Sequence, residues 1–348
     1  MAGQPERRQN VPDYRVEVGG STYVPGDQLT DITGKVRPRL ISLTLTDKRG
    51  GEADQLDLVL DDSDGKLDLP KKGATIRLSL GWKHGAGVRV GLVDKGRFTV
   101  DEVEWGGEPD QISIRARAAD LRDGFRVRKA KSWRDTTLGA VVRDIAGANG
   151  LEPRIAPELA GVAVASLAQH HTSDMQLLRR LGREHDAIAT VKDGKLIFSP
   201  IGKSATTGGT PLGALTITRD MGSRPRLTFV DRGEDAGVEA SWHDQDAGER
   251  KMVKVGGGKG KPKRLRRVYH SEASARAAAK GESSRTKRTA AAFDFSLALG
   301  RADLLPDTPV TLQGFKKEAD ALRWIAAEVT HTVDKSGYRT GVKLEQRS

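Results

Sequence analysis

Apolar and polar residues alternate along most of the first 125 positions. This period of two is typical of strands that bury one face. It occurs in residues 40–45, 56–60, 76–80, 98–103 and 112–116. Turn-forming segments rich in Gly, Asp and Pro separate these stretches, as at residues 47–51, 61–65 and 106–110. Several short strands at this spacing predict an antiparallel barrel or sandwich.

The pattern changes to a helical period after about residue 126. A first helix is predicted from a cap at Asp135 or Thr136 to a stop at Asn149-Gly150. A second is predicted after a cap at Thr172 or Ser173. Each has four apolar residues on one face: Leu138, Val141, Val142 and Ile145, then Met175, Leu177, Leu178 and Leu181. A hairpin on Asp193-Gly194 completes a small α+β unit of two helices and a hairpin.

Strand character resumes after the Gly- and Thr-rich tract at residues 202–209, which reads as a linker. Alternating segments lie at residues 215–217, 227–230, 238–242, 252–255, 293–299, 310–312, 324–333 and 338–344. Between them the sequence predicts a basic loop at residues 256–268 and an Ala-rich helix at residues 271–292, which begins at Ser271.

The first and last parts of the chain share a repeated order of signals. An Asp-Leu and a Pro precede an alternating strand at residues 68–78 and again at 303–312. Gly81-Trp82 and Gly314-Phe315 follow, and then strands that carry Glu102-Val103 and Glu328-Val329. The fold class predicted is mainly β with an α+β insert: two similar antiparallel β-barrel domains, at residues 1–125 and 206–348, flank a small α/β domain at residues 126–205.

The positive charge of the chain is concentrated in one region. Of the net +11, residues 251–290 hold thirteen Lys and Arg residues against Glu272 and Glu282, and thirteen minus two is the whole excess. The remaining chain is neutral, so a broad nucleic-acid-binding surface is not predicted. The candidate contact residues in the basic loop are Lys259, Lys261, Lys263, Arg264, Arg266 and Arg267. Three interpretations stay open: a solvated loop, a contact with an acidic partner, or a guide for DNA.

Motifs for catalysis are missing from the sequence. It contains no His-Glu-x-x-His, no Gly-x-Ser-x-Gly and no Walker loop, and the Gly-rich stretch at residues 256–261 lacks the Ser or Thr that follows the Walker Lys. We therefore expect no enzyme activity, cofactor or metal. No apolar run is long enough to span a bilayer and the N-terminus has no signal-peptide core, so no membrane anchor is expected.

One stretch resembles a known family. Gln169-His-His-Thr-Ser-Asp174 before an amphipathic helix with Leu178-Arg-Arg-Leu181 is similar to a segment of the phage late control protein D family. Related segments occur in the spike proteins of type VI secretion. The C-terminal pattern, which includes Gly300, Asp303, His331 and Gly337-Tyr338, resembles the same family.

This resemblance implies a structural hub of a contractile phage tail or of a tail-derived injection device. Such a hub trimerises, so that two barrels per chain match the six-fold tail tube and join it to a three-fold spike. The partners implied are the tail tube protein or a tube initiator, a separate spike protein, the tape measure protein and the baseplate wedge. DNA would touch the protein only during passage, and assembly would take place in the bacterial host cytoplasm.

The spike is expected to be a separate protein because this sequence stops at Ser348, where type VI spike proteins continue into a β-helix. The alternative hypothesis is a tail accessory protein that binds nucleic acid or peptidoglycan through its α/β unit, with the barrels as a scaffold.

Overall fold

The computed structural model describes residues 9–20, 29–50, 52–118, 125, 127–192, 194–203, 210–230, 236–257 and 260–347. It confirms the prediction of a mainly β protein with a few helices. Residues 9–118 form, in order, β1 Val11–Gly19, β2 Thr30–Asp31, α1 Thr33–Val36, β3 Leu40–Lys48, β4 Gln55–Asp61, β5 Thr75–His84, β6 Gly91–Gly106 and β7 Gln111–Ala118. A single 3₁₀ turn, Arg37–Arg39, follows α1.

The middle of the chain contains more strand than the sequence predicted. Its elements are β8 Arg128–Thr137, α2 Leu138–Ala148, β9 Glu152–Ile155, α3 Pro157–Ala160, β10 Ala163–Ser173, α4 Asp174–Glu184, β11 Ala187–Lys192 and β12 Lys195–Pro200. The two principal helices and the hairpin are as predicted. The sequence missed the antiparallel ladder of β8 and β10 and the parallel pairing of β9 with β12.

The caps of the two helices show why each begins where it does. Ser173, one of the two predicted caps, accepts a hydrogen bond from the backbone of Gln176, whose side chain accepts one from the backbone of Ser173 in return. The caps proposed for the first helix, Asp135 and Thr136, are wrong. Strand β8 continues through Thr137, and the hydroxyl of Thr137 accepts from the backbone N–H of Ala140.

The last part of the chain contains a second set of large strands and a small inserted unit. Its elements are β13 Leu215–Thr218, β14 Gly222–Phe229, β15 Val238–Asp244, β16 Glu249–Val255, β17 Lys263–Tyr269, α5 Glu272–Arg288, β18 Ala291–Leu297, β19 Pro309–Gln313, α6 Lys317–Asp320, β20 Trp324–Asp334 and β21 Gly337–Gln346. Strands β15, β16 and β17 form a separate sheet that packs on α5 and has its own apolar cluster.

Two predictions for this region need correction. The basic loop predicted at residues 256–268 is a strand from Lys263 onward, because Leu265 and Tyr269 turn toward the cluster beneath α5 while Arg264 points outward. The helix predicted to reach residue 292 ends at Arg288, since Ala291 and Ala292 are the first residues of β18.

The sequence repeat is visible as a repeated strand order. One copy is ordered β1-β5-β6-β7-β4-β3, and the second is ordered β13-β19-β20-β21-β18-β14. When the six large strands of each copy are numbered along the chain, they lie side by side in the order 1-4-5-6-3-2 in both copies. The outermost pair differs, because β1 is antiparallel to β5 whereas β13 is parallel to β19.

The two copies also share a local irregularity. In β6 the pairing register shifts between Val100 and Glu102, and in β20 it shifts between Ala326 and Glu328. Beside each shift a residue with positive φ donates to the strand: Gly73 N–H to the Val100 carbonyl and Asp307 N–H to the Ala326 carbonyl, both at 2.8 Å. Because a bulge fixes a residue's position on a strand, Glu102 and Glu328 occupy the same place in the two copies.

Edge pairing joins the two copies into one 13-stranded sheet. Strand β3 pairs antiparallel with β20, from Ser42 opposite Asp334 to Lys48 opposite Glu328. The indole N–H of Trp82 adds a 2.8 Å hydrogen bond to the carbonyl of Gly300. Each copy has an apolar cluster, and that of the first copy extends across the seam to Ala302, Val333 and Tyr338 of the second.

A buried polar cluster lies on the seam. His331 Nε2 is 2.8 Å from the Nζ of Lys95, which is 3.4 Å from the carboxylate of Asp47, and all three side chains are buried. His331 Nδ1 lies 3.0 Å from the hydroxyl of Tyr338 and 3.1 Å from that of Thr340. Because Lys95 donates to Nε2, His331 is neutral, and burial together with Lys95 holds its pKa well below the usual value.

The neutral state of His331 predicts a pH dependence of stability. The unfolded chain binds a proton at this residue below about pH 6.5 and the folded chain does not, so this contribution to stability is lost as the pH falls. The wild type is expected to lose up to about 1.4 kcal/mol per pH unit below pH 6.5 from this group. Urea unfolding between pH 7 and pH 5 should show a shallower loss in His331→Gln than in the wild type.

Titrating groups far from His331 are present in both proteins and cancel in this comparison. Asp47 lies beside His331, and its pKa, raised mainly by burial, has the opposite effect on stability. Equal slopes for the two proteins would contradict a neutral His331.

Close packing of α5 on α4 explains the Gly in the middle of the predicted helix. A Cβ on Gly281 would lie 2.9 Å from the carbonyl oxygen of Arg183 and 3.0 Å from that of Glu184. The buried guanidinium of Arg288 forms a two-pronged ion pair with Asp186 nearby. The inserted unit is therefore fixed to the middle of the chain through the end of α4.

Two Gly→Ala substitutions distinguish the effect of this close contact on stability from the effect of helix propensity. Gly147 on α2 has no atom within 4 Å of its would-be Cβ, so Gly147→Ala should stabilise the protein by about 0.5–1 kcal/mol. Gly281→Ala gains the same propensity but pushes against two backbone carbonyls, so a net loss of about 1–3 kcal/mol is expected. Thermal unfolding of both variants tests this, and a higher melting temperature for Gly281→Ala would contradict the packing described.

Candidate partner interface

The predicted contact residues do not form one surface. Lys259 lies outside the described residues, and Lys261 is an exposed residue just before β17. Lys263, Arg264, Arg266 and Arg267 belong to β17, where all four are exposed to some degree. Because strand residues alternate between faces, the run of cations is divided among different neighbours.

Three of these cations form ion pairs within the chain. Lys263 lies 2.6 Å from Glu282 of α5, and Arg264 lies 3.2 Å from Glu239 of β15. Arg267 reaches Glu184 at the end of α4, at 2.7 Å. These pairs are partly exposed and each stabilises the fold by about 1 kcal/mol or less. Their main effect is to reduce the charge available to an outside partner.

The carboxylates in these pairs sit in different environments. Burial raises the pKa of Glu184 above its usual value, and Arg267 offsets only part of that shift. Burial also acts to raise the pKa of Glu282, but hydrogen bonds from Lys263 and Arg285 outweigh it and lower the pKa. Glu282 therefore stays ionised and holds the start of β17 to α5.

The outer face of the small sheet presents a mixed apolar and basic surface. Across the three strands, Ser241 lies between Met252 and Val268, which are 48% and 43% exposed. In the next row, Glu239 lies between Lys254 and Arg264. The buried hydroxyl of Ser241 accepts a 2.7 Å hydrogen bond from Arg250. Helix α5 covers the opposite face, so this one faces outward.

Sequence reasoning missed Arg250, Met252, Lys254 and Val268 as parts of this surface. It treated residues 259–267 as a linear segment and β16 as part of the barrel. The available signal was the alternation in β16, where Met252 and Lys254 share one face and Val253 and Val255 the other. The parallel pairing of β15 with β17, which brings Val268 beside them, has no local sequence signal.

A cavity of about 280 Å³ lies between β3, β6 and the hairpin of β11 and β12. Two ion pairs line it: Lys95 with Asp47, and Lys192 with Asp54 at 2.7 Å. Within the described ranges, no group of three or more His, Cys, Asp or Glu residues could hold a metal ion. In the same part of the chain, no helix is both long and apolar enough to cross a membrane.

Known proteins similar to this chain include tail proteins. It is 39% identical to the probable baseplate hub protein of Escherichia phage 186, over 94% of each chain. It is 40% identical to the probable baseplate hub protein of Escherichia phage P2, over 94% of this chain and 95% of that one. The fold is similar to that of a tail protein from Neisseria meningitidis MC58, with a TM-score of 0.64, 12% identity and coverage of 95% and 96%.

The family model for the phage tail baseplate hub (GPD) matches residues 52–337. That range contains all the strands from β4 to β20 and therefore most of both copies. The resemblance found in the sequence is confirmed, and with it a structural hub role in a tail or injection device. The chain belongs to the phage tail baseplate hub family.

Proposed function

We propose that the protein is a homotrimeric hub that joins a six-fold tail tube to a three-fold central spike. The observation that carries this proposal is the identical strand order of the two copies in one chain. Two similar copies supply two of six equivalent positions, so three chains present six. A three-fold ring of such chains meets the symmetry of the tube on one side and of the spike on the other.

The partners proposed are those of a hub in this position. The tail tube protein or a tube initiator meets one side of the ring and a separate spike protein meets the other. The tape measure protein and the baseplate wedge are further candidates. The baseplate hub relatives support a location in the virion tail, and we propose that assembly takes place in the host cytoplasm.

The role proposed is structural rather than enzymatic. Four of the charged groups that line the 280 Å³ cavity form ion pairs with one another, Lys95 with Asp47 and Lys192 with Asp54. The His331 imidazole is held neutral by Lys95 deep in the seam, out of reach of a substrate. Membership of a structural family supports the same conclusion.

A trimer makes a direct prediction for mass. Three chains of 37.6 kDa give about 113 kDa, which light scattering separates easily from one chain or two. Because a ring of this kind can require the tube or the spike to close, the decisive measurement is a cryo-EM map of the assembled particle. Three copies are expected at the hub, and six copies or one would contradict the proposal.

We propose that the outer face of the small sheet, defined by Arg250, Met252, Lys254, Arg264 and Val268, contacts an acidic protein partner. Its two exposed apolar side chains favour a protein surface, because they give no advantage against a phosphate backbone. The internal pairing of Lys263, Arg264 and Arg267 weakens the alternative of a nucleic-acid-binding protein.

DNA binding is therefore expected to be weak and independent of sequence. A protein that makes six to ten phosphate contacts loses about 10³–10⁵ in affinity between 50 and 200 mM salt, whereas this face offers only a few. Fluorescence anisotropy with a labelled duplex should show a shallow salt slope that Lys254→Glu reduces further. Lys280→Glu, an exposed charge reversal on α5, is the matched control and should change the slope less. Sequence-specific binding that persists at 200 mM salt would instead support the alternative function.

A further inference from the structure

Two sheet edges in this chain have no strand partner among the described residues, and each carries an exposed aromatic side chain. Strand β14 pairs only with β18, and beyond Thr99 strand β6 pairs only with β7. Phe229 on β14 is 58% exposed and Trp105 on β6 is 55% exposed. Open edges with large apolar side chains are rare in proteins that stay monomeric, because they invite pairing with another chain.

Comparison of the two copies indicates which strand would pair with each open edge. The shared bulge aligns Glu102 with Glu328, so Trp105 takes the place of His331 in the other copy. His331 is fully buried because β3 pairs with that stretch of β20. Trp105 faces the same way along its strand, but among the described residues only β7 lies beside it, and the side that β3 covers at His331 is open. Trp105 is therefore exposed although it faces inward, because no described strand takes the position beside it that β3 takes beside His331.

The same comparison applies to the other edge. The two copies can also be aligned through β4 and β18, the strands that pair with β3 and β14. In this alignment Leu45 of β3 matches Leu227 of β14, and Asp47 matches Phe229. Asp47 is 3% exposed because β20 covers it, whereas Phe229 is 58% exposed. Strand β14 is therefore the equivalent of β3, and the free stretch of β6 is the equivalent of the stretch of β20 that β3 meets.

We propose that β14 of one chain pairs antiparallel with β6 of a second copy of this chain. The register follows from the seam, in which Leu45 lies opposite His331 and Asp47 opposite Val329. Transferred to the free edges, it places Leu227 opposite Trp105, Thr228 opposite Glu104 and Phe229 opposite Val103 of the partner chain.

The side chains on the two edges suit this pairing. On the inner face, Leu227 and Phe229 meet Val103 and Trp105, so four apolar side chains take the place of the polar cluster of the intrachain seam. On the outer face, the exposed Arg226 lies diagonally across from the exposed Glu104, and neither forms an ion pair among the described residues. Cross-strand apolar and opposite-charge pairs of this kind each stabilise a sheet.

This inference rests on the proposed trimer, and it explains how the ring closes. The contact is heterologous, because β14 and β6 are different surfaces of one chain, and such contacts form a ring when the rotation closes. Suppose that the rotation relating β14 of one chain to β6 of the next equals the rotation relating the two copies within a chain. Three chains then form a ring of six equal rotations. No edge of this kind is then left open.

Engineered disulfides test the register, because the chain contains no Cys. Directly opposed strand residues have Cα atoms about 4.5–5.5 Å apart, within the range that a disulfide bridges. Thr228→Cys combined with Glu104→Cys, oxidised in the free protein and in assembled particles, should give covalent species of up to three chains. The matched control is Thr46→Cys with Thr330→Cys, the equivalent pair inside one chain, which should oxidise without any change in mass.

The outcomes separate this inference from the proposed function. Covalent trimers that go no further support both. A ladder beyond three chains supports the strand pairing and overturns the closed trimer. Protein that is trimeric by light scattering but stays uncrosslinked, while the control pair oxidises, overturns the pairing and leaves the trimer standing. Protein that is monomeric and uncrosslinked, in particles as well as in solution, overturns both.

A second set of variants guards against misfolding of the Cys variants. Phe229→Ser and Trp105→Ser change exposed side chains, so each should leave the melting temperature of the monomer nearly unchanged. Each should weaken association about tenfold or more, because a large apolar side chain is no longer buried between chains. Association as strong as in the wild type for both variants would overturn the pairing.

Discussion

The fold depends on the backbone pairing of β3 with β20, which makes one sheet out of two copies. Residues nearly 300 positions apart meet there, so the seam forms only when the whole chain has folded. Its polar cluster of Asp47, Lys95 and His331 is expensive to bury unless every member has a partner, and here each has one. A register slip of one residue would separate these partners, so the cluster favours a single alignment of the two copies.

The inserted units modify one copy without disturbing the seam. The first copy connects β3 to β4 by a short turn, whereas the second places a sheet and a helix between β14 and β18. The insertion, residues 230–290, holds fifteen Lys and Arg residues against nine Asp and Glu residues, so +6 of the net +11 enters the molecule with it. It is anchored to the middle unit by the buried pair of Arg288 with Asp186 and by Gly281. The charge is thus held at a fixed position in the molecule, as a binding surface requires, rather than on a free loop.

The sequence predicted the elements well wherever burial follows a local period. The alternation of Leu56, Leu58 and Leu60 and the helical face of Leu177, Leu178 and Leu181 correspond to buried surfaces in the structure. The sequence did not predict the structure where pairing with a strand distant in the chain determines the conformation. Residues 263–268 read as a solvated basic loop because nothing nearby in the sequence reveals the parallel partner β15. For the same reason the candidate contact surface was assigned to a linear run of cations, and Met252 and Val268 were overlooked.

The contrast between the two seams has a physical logic. The intrachain seam forms once, during folding, and a buried polar cluster can be assembled there because no step exposes it to water again. A seam between chains has to leave each free subunit soluble and still bind on encounter. Buried ions would have to be desolvated at that encounter, whereas apolar side chains such as Trp105 and Phe229 gain from it. A protein built from two copies of one sheet can therefore use the same strand geometry twice, with polar residues where the contact is permanent and apolar residues where it forms last.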